Sequence, residues 1–178
     1  MHRVQPHPYG LTLSNDGRWV ITANSGDPLS LSLLDVTAPN GPDMYQIPET
    51  PAGRKGVLDA VFMGLATDAS GKTLYVSGGS DWSLMAFDLG TRERLYRIDC
   101  AHEADGKKYE HGYLGDIRLS PDGKTAYGVD QSNFRLVIID LEKRVVLRSI
   151  AVGRYPFGIA LSPDGSRAYV ANVGIYEY

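Results

Sequence analysis

Apolar and polar residues alternate along this chain in short runs, and the runs return in a fixed order. Residues 11–14, 65–67, 117–119 and 159–161 read Leu-Thr-Leu-Ser, Leu-Ala-Thr, Ile-Arg-Leu and Ile-Ala-Leu. Alternation with period two is the pattern of a strand with one face turned inward. Each run leads into a tight turn: Asn15-Asp-Gly17, Ala69-Ser-Gly71, Pro121-Asp-Gly123 and Pro163-Asp-Gly165. A second strand follows at 19–22, 74–76, 126–129 and 168–171. A third is expected at 29–35, 83–88 and 135–140, and a fourth at 44–47, 95–98 and 145–150. No stretch carries sustained helical periodicity. Helix is expected to be limited to a turn or two in the connections.

The turn glycines Gly17, Gly71, Gly123 and Gly165 are 54, 52 and 42 residues apart. A self-similar period of that size is the mark of a repeated β unit, most often a propeller blade. Asp-Gly is a strong hairpin signal, because glycine takes positive φ without steric cost. All four glycines are expected in that region. The third strands end in Asp35, Asp88 and Asp140, which lie 18, 17 and 17 residues after their turn glycines. An acid just past a strand accepts backbone N–H bonds in the next turn. These three read as turn-holders and not as catalysts.

The expected fold is all-β: a β-propeller of four-stranded antiparallel blades, present as three complete blades plus half a blade. The blades fall at about 8–47, 62–98 and 114–150, with an incomplete unit at 157–178. Seven blades of ~45 residues need ~315 residues. Two expectations stand side by side. Either the chain is the N-terminal part of a larger propeller, or two copies complete one another's ring.

The phrase Leu161-Ser-Pro-Asp-Gly165 followed by Tyr169-Val-Ala-Asn172 resembles the repeat of the YVTN family of β-propellers. Ile21-Thr-Ala-Asn24, Tyr75-Val-Ser-Gly78 and Tyr127-Gly-Val-Asp130 depart from it. The resemblance covers nearly the whole chain and implies, in most cases, a seven-bladed ring. It implies surface-layer or periplasmic binding proteins, propellers joined to phosphoesterase domains, lactonase-like proteins, or propeller subunits of periplasmic dehydrogenases. It also implies a periplasmic or secreted setting.

Composition narrows this picture little. The net charge is −3 and no basic block exists, so nucleic-acid binding has no support. No run of 18 apolar residues is present, so no spanning helix is expected. The first residues lack the apolar core of a signal peptide. The single Cys100 rules out an internal disulfide and reads as a small buried thiol.

In an up-and-down blade, the second-to-third loops and the blade-to-blade crossovers share one end. That end carries the irregular segments 25–28, 79–82 and 131–134 and the long crossovers 48–60 and 100–113. Loops longer than the scaffold needs are where sites are displayed. Arg54 and Lys55 on the first crossover and Arg154 on the short third one, 151–156, lie at the same end and suit an anionic ligand such as phosphate or carboxylate. His102 and His111 sit in the crossover 102–111 with Glu103, Asp105 and Glu110. Their spacing matches no metal signature, and a polar solvated loop is the expected reading. Trp82 and Phe134 hold matching positions, where packing between blades competes with lining a pocket. His7 falls in a slot filled elsewhere by Val61, Tyr113 and Tyr155.

No nucleophile elbow, phosphate loop, dinucleotide fingerprint or paired zinc spacing appears, so no catalytic residue, metal or cofactor is assigned. The sequence points first to a non-enzymatic module that binds an unknown protein or small anionic ligand. Its rival is a propeller segment of a hydrolase, phosphoesterase or lactonase-like, or of a periplasmic dehydrogenase.

Overall fold

A computed structural model describes residues 3–49 and 58–174. Its strands are β1 Pro8–Leu13, β2 Trp19–Asn24, β3 Ser30–Asp35, β4 Asp43–Ile47, β5 Leu65–Thr67, β6 Thr73–Ser77, β7 Ser83–Asp88 and β8 Arg94–Asp99. They continue as β9 His102–Ala104, β10 Lys107–Tyr109, β11 Leu114–Leu119, β12 Thr125–Asp130, β13 Arg135–Asp140, β14 Val145–Ala151, β15 Pro156–Leu161 and β16 Ala168–Asn172. Three antiparallel sheets run β1-β2-β3-β4, β5-β6-β7-β8 and β11-β12-β13-β14, and β15-β16 forms a two-stranded sheet. These are propeller blades. Among the described residues there is no helix, and so none long and apolar enough to cross a membrane.

The crossover between the second and third blades differs from the expected solvated loop. It folds into a two-stranded hairpin, β9 on β10, paired from Lys107↔Ala104 to Tyr109↔His102. Asp105 and Gly106 turn it with φ of 54° and 70°, the geometry that Asp-Gly favours in a two-residue hairpin.

Both faces of the middle blade are buried, which explains why β7 reads as an unbroken apolar run. Leu74, Val76, Met85 and Phe87 pack on Ile21, Leu31, Leu33 and Ile47 of the first blade. Tyr75, Leu84 and Ala86 face the other way, onto Leu114, Ile117, Val137 and Ile139 of the third. Successive side chains thus serve two different interfaces. A smaller cluster joins Val129 and Leu136 to Ile159 of the last hairpin.

The inner strands β1, β11 and β15 begin earlier than the alternation suggests. Each starts with a bulge, where pairing skips from Pro8 to Gly10, from Leu114 to Ile117, and from Pro156 to Gly158. A bulge breaks period two, so the first residues of these strands escape a pattern search. Gly10 lies just past its bulge, against the backbone of Met63 in the next blade; a Cβ there would collide with the Met63 carbonyl. Neighbouring blades approach backbone to backbone at this point.

The tight turns have one design. Gly17, Gly71, Gly123 and Gly165 adopt φ of 74°, 68°, 70° and 69°. Ser120 Oγ accepts the Thr125 N–H and donates to Asp122, and Ser14 and Ser162 do the same in their own turns. The second blade has the two residue types exchanged. Asp68 accepts the Lys72 and Thr73 N–H groups, and Ser70 donates to it. Asp35, Asp88 and Asp140 hold the third-to-fourth turns by accepting from Thr37, from Gly90 and Thr91, and from Lys143.

Candidate functional site

The opposite end of the blades carries the crossovers and the second-to-third loops, and here an open cavity of about 340 Å³ lies between the first and second blades. Three aromatic residues form its wall. Tyr9 lies on the bulge of β1, Phe62 ends the first crossover, and Tyr113 ends the second. Tyr9 and Phe62 have ring centroids 5.8 Å apart, and Phe62 meets Tyr113 edge-on at 4.9 Å. Each ring comes from a different blade, so the row forms only when blades pack. Phe134 and Tyr155 repeat the edge-on contact at 5.0 Å one blade further.

Polar groups complete the rim: Ser25, Ser80, the backbone of Gly78 and Gly79, and the Asp59 carboxylate. Asp59 is half-exposed and pairs with Arg94 at 3.4 Å. Burial, with the Tyr9 hydroxyl nearby, pushes the Tyr113 phenol above its ordinary value. It therefore stays protonated at neutral pH and remains a donor. The Tyr113 backbone is fixed from behind, since its N–H donates to the fully buried Asp130. Gly79 is bridged to Leu114, which ties the second blade's loop to the third blade at the same point.

Of the residues that the sequence singled out, Arg54 and Lys55 lie outside the described residues. Trp82 is buried at the interface of the second and third blades, among Leu84, Cys100 and Leu114, with Gly112 against its ring. His111 and Arg154 are exposed, and the His111 carbonyl accepts from Asn133. His7 is exposed with φ of 53°. Among the described residues no three His, Cys, Asp or Glu side chains are grouped so as to hold a metal ion. Burial raises the Cys100 thiol far above its usual range, which leaves it without thiolate character.

His102 is half-buried and held on three sides. Its ring stacks on Tyr109 at 5.1 Å, and its two nitrogens meet the Cys100 carbonyl at 2.8 Å and Ser149 Oγ at 2.6 Å. Beside it, buried Arg135 reaches Ser149, Tyr109 and Asp105. The aromatic cavity was missed from sequence. A signal is present, since an aromatic recurs at or just before the start of each inner strand, at Tyr9, Phe62, Tyr113 and Phe157.

No family model matches the chain, and no curated protein matches it. Solved structures do. The chain is similar to hydrazine synthase of Kuenenia stuttgartiensis, with a TM-score of 0.68 and 23% identity over 98% of this chain and 45% of the other. It is also similar to two putative 6-phosphogluconolactonases. That of Bacteroides fragilis has a TM-score of 0.64 and 19% identity, over 93% of this chain and 50% of the other. That of Bacteroides uniformis has a TM-score of 0.66 and 19% identity, over 96% and 51%. The chain thus spans about half the length of these structures, and at such identities the likeness is one of fold.

Proposed function

We propose that this chain is the propeller segment of a lactonase-like hydrolase, and that a sugar lactone occupies the cavity of Tyr9, Phe62 and Tyr113. The aromatic row with a carboxylate on its rim carries this reading. Flat aromatic faces suit the C–H face of a sugar ring, and a few placed polar groups fix its hydroxyls. Asp59 is the carboxylate that lines the cavity, in place to take a proton from an attacking water. The protonated Tyr113 hydroxyl supplies a donor for the ring carbonyl, whose oxygen gains charge as the water adds. The names of the two Bacteroides proteins support the same substrate class. Arg54 and Lys55 precede Asp59 by five and four residues, and they are the cations this reading assigns to a phosphate on the sugar. The YVTN-type repeat, and with it a bacterial extracytoplasmic setting, belongs to the same proposal.

The test is hydrolysis of gluconolactone and 6-phosphogluconolactone followed in a pH-stat. Asp59→Asn is expected to lower turnover by about 100-fold, the usual scale for a general base. Phe62→Ala is expected to weaken substrate binding. Wild-type chain without turnover on either lactone, or Asp59→Asn at wild-type rate, overturns the reading.

A second reading, a non-enzymatic scaffold for a protein partner, is favoured by a different observation. Leu11 and Leu13 on one side, and Leu147, Ile150 and Tyr169 on the other, are large apolar side chains left exposed on sheet faces.

A further inference from the structure

We propose that Ser149 is a nucleophile activated by His102, forming a second reactive site that accepts acyl groups from activated esters. It is built from residues that the aromatic cavity does not use. Ser149 lies on the outermost strand of the third blade, β14, and the crossover hairpin β9–β10 folds over it. That hairpin brings His102 to within 2.6 Å of Ser149 Oγ.

In the neutral imidazole, the hydrogen bonds assign the roles of both ring nitrogens. A carbonyl only accepts, so the contact between His102 Nδ1 and the Cys100 carbonyl, at 2.8 Å, places the proton on Nδ1. Nε2 therefore carries the lone pair, and Ser149 donates its hydroxyl proton to it. Arg135 Nε can only donate, and it donates to Ser149 Oγ at 2.6 Å. The serine oxygen thus faces a base on one side and a cation on the other. This pairing favours the alkoxide, with the backbone carbonyl of Cys100 orienting the imidazole where other enzymes use a carboxylate.

The assembly is rigid. Arg135 is 5% exposed, and three of its four other N–H groups go to Tyr109 Oη, Asp105 and the Ser149 carbonyl. Tyr109 in turn stacks on the His102 ring. The site is also open. A cavity of about 400 Å³ is lined by Ser149, Arg135, Arg148, Glu103 and Asp105. Ser149 keeps 8% of its surface exposed.

In the reaction, Ser149 Oγ bonds to the acyl carbon as its proton passes to His102 Nε2. The acyl–oxygen bond breaks, and the leaving alcohol takes that proton from His102. Water then attacks the acyl-serine by the same route in reverse, giving the acid and free Ser149.

A fluorophosphonate probe tests this on the unaltered chain, because it traps an activated serine through an oxygen–phosphorus bond with loss of fluoride. Peptide mapping by mass spectrometry is expected to find one adduct, on Ser149. His102→Gln is expected to slow labelling by about 100-fold, and Asp59→Asn is expected to leave it unchanged. That last result separates this site from the lactonase reading. An unlabelled Ser149 in the folded wild-type chain overturns the proposal and leaves the cluster as a pin for the hairpin. Equal labelling of wild type and His102→Gln overturns it as well.

Discussion

Asp130 shows how much a single side chain organises. It is fully buried, and its carboxylate accepts from the backbone N–H groups of Tyr113, Ser132 and Asn133 and from the Asn133 side chain. Those partners belong to the second crossover and to the second-to-third loop of its own blade. One carboxylate therefore ties the crossover that carries Tyr113 to the loop of its own blade. Replacing Asp130 by Ala leaves four partly buried hydrogen bonds unmade, each worth about 1 kcal/mol. Urea unfolding of Asp130→Ala is expected to show a loss of about 3 kcal/mol, with Asp130→Asn losing less because it keeps one acceptor oxygen. Equal midpoints for Asp130→Ala and wild type would contradict this account of the loop. In sequence Asp130 stands out only as a departure from the Tyr-Val-Ala-Asn phrase. Its chief partner, Tyr113, is 17 residues upstream, and no local pattern links the two. The turn-holding role of Asp35, Asp88 and Asp140 is legible for the opposite reason: the backbone N–H groups they accept from lie within three residues, although Asp35 also accepts from Arg18, 17 residues upstream.

At the scale of the element, the repeated turns are small electrostatic devices. The Ser162 hydroxyl, with further bonds from Ser166, holds the Asp164 carboxylate down at about 2. Bonds from Ser14 and Ser120 lower Asp16 and Asp122 in the same way. The Arg18 guanidinium lowers Asp35. A carboxylate depressed in the folded state adds stability above its unfolded value near 3.8, and that contribution fades as pH falls through the folded value. The thermal midpoint is therefore expected to hold from neutral pH down to about 4 and to drop between about 4 and 2. A midpoint that stays level across that interval would show that these turns contribute nothing. The turns themselves are plain in the sequence, because Asp-Gly, or Ser-Gly in the second blade, sits between alternating runs each time. The same Asp105-Gly106 signal lies in the second crossover, yet the strands it joins are three residues each. His-Glu-Ala and Lys-Lys-Tyr are almost wholly polar and carry no apolar alternation, so the hairpin that positions His102 reads as a loop.

At the scale of the whole molecule, the stabilising unit is one blade against the next. Equivalent residues make the point. Leu65, Ile117 and Ile159 are 5%, 0% and 4% exposed, each covered by the preceding blade, while Leu11 at the same position of the first blade is 72% exposed. Burying apolar surface contributes about 25 cal/mol per Å². Sedimentation velocity is accordingly expected to show the chain self-associating as concentration rises, and Leu11→Lys with Leu13→Lys is expected to reduce this. A concentration-independent monomer would run against it. The repeat made the blades legible, but the candidate cavity belongs to no blade. Tyr9, Phe62 and Tyr113 each look like an ordinary apolar residue ahead of a strand, and they become a wall only when three blades stand side by side. The central claim is that a sugar-type ligand rests on that wall. It is tested most directly by amide chemical-shift mapping of the isotope-labelled chain, titrated with the sugar acid that lactone hydrolysis releases. The account predicts saturable shifts concentrated at Tyr9, Asp59–Phe62, Gly78–Ser80 and Tyr113. Shifts confined to the Asp-Gly turns at the opposite end, or none at millimolar ligand, would contradict it.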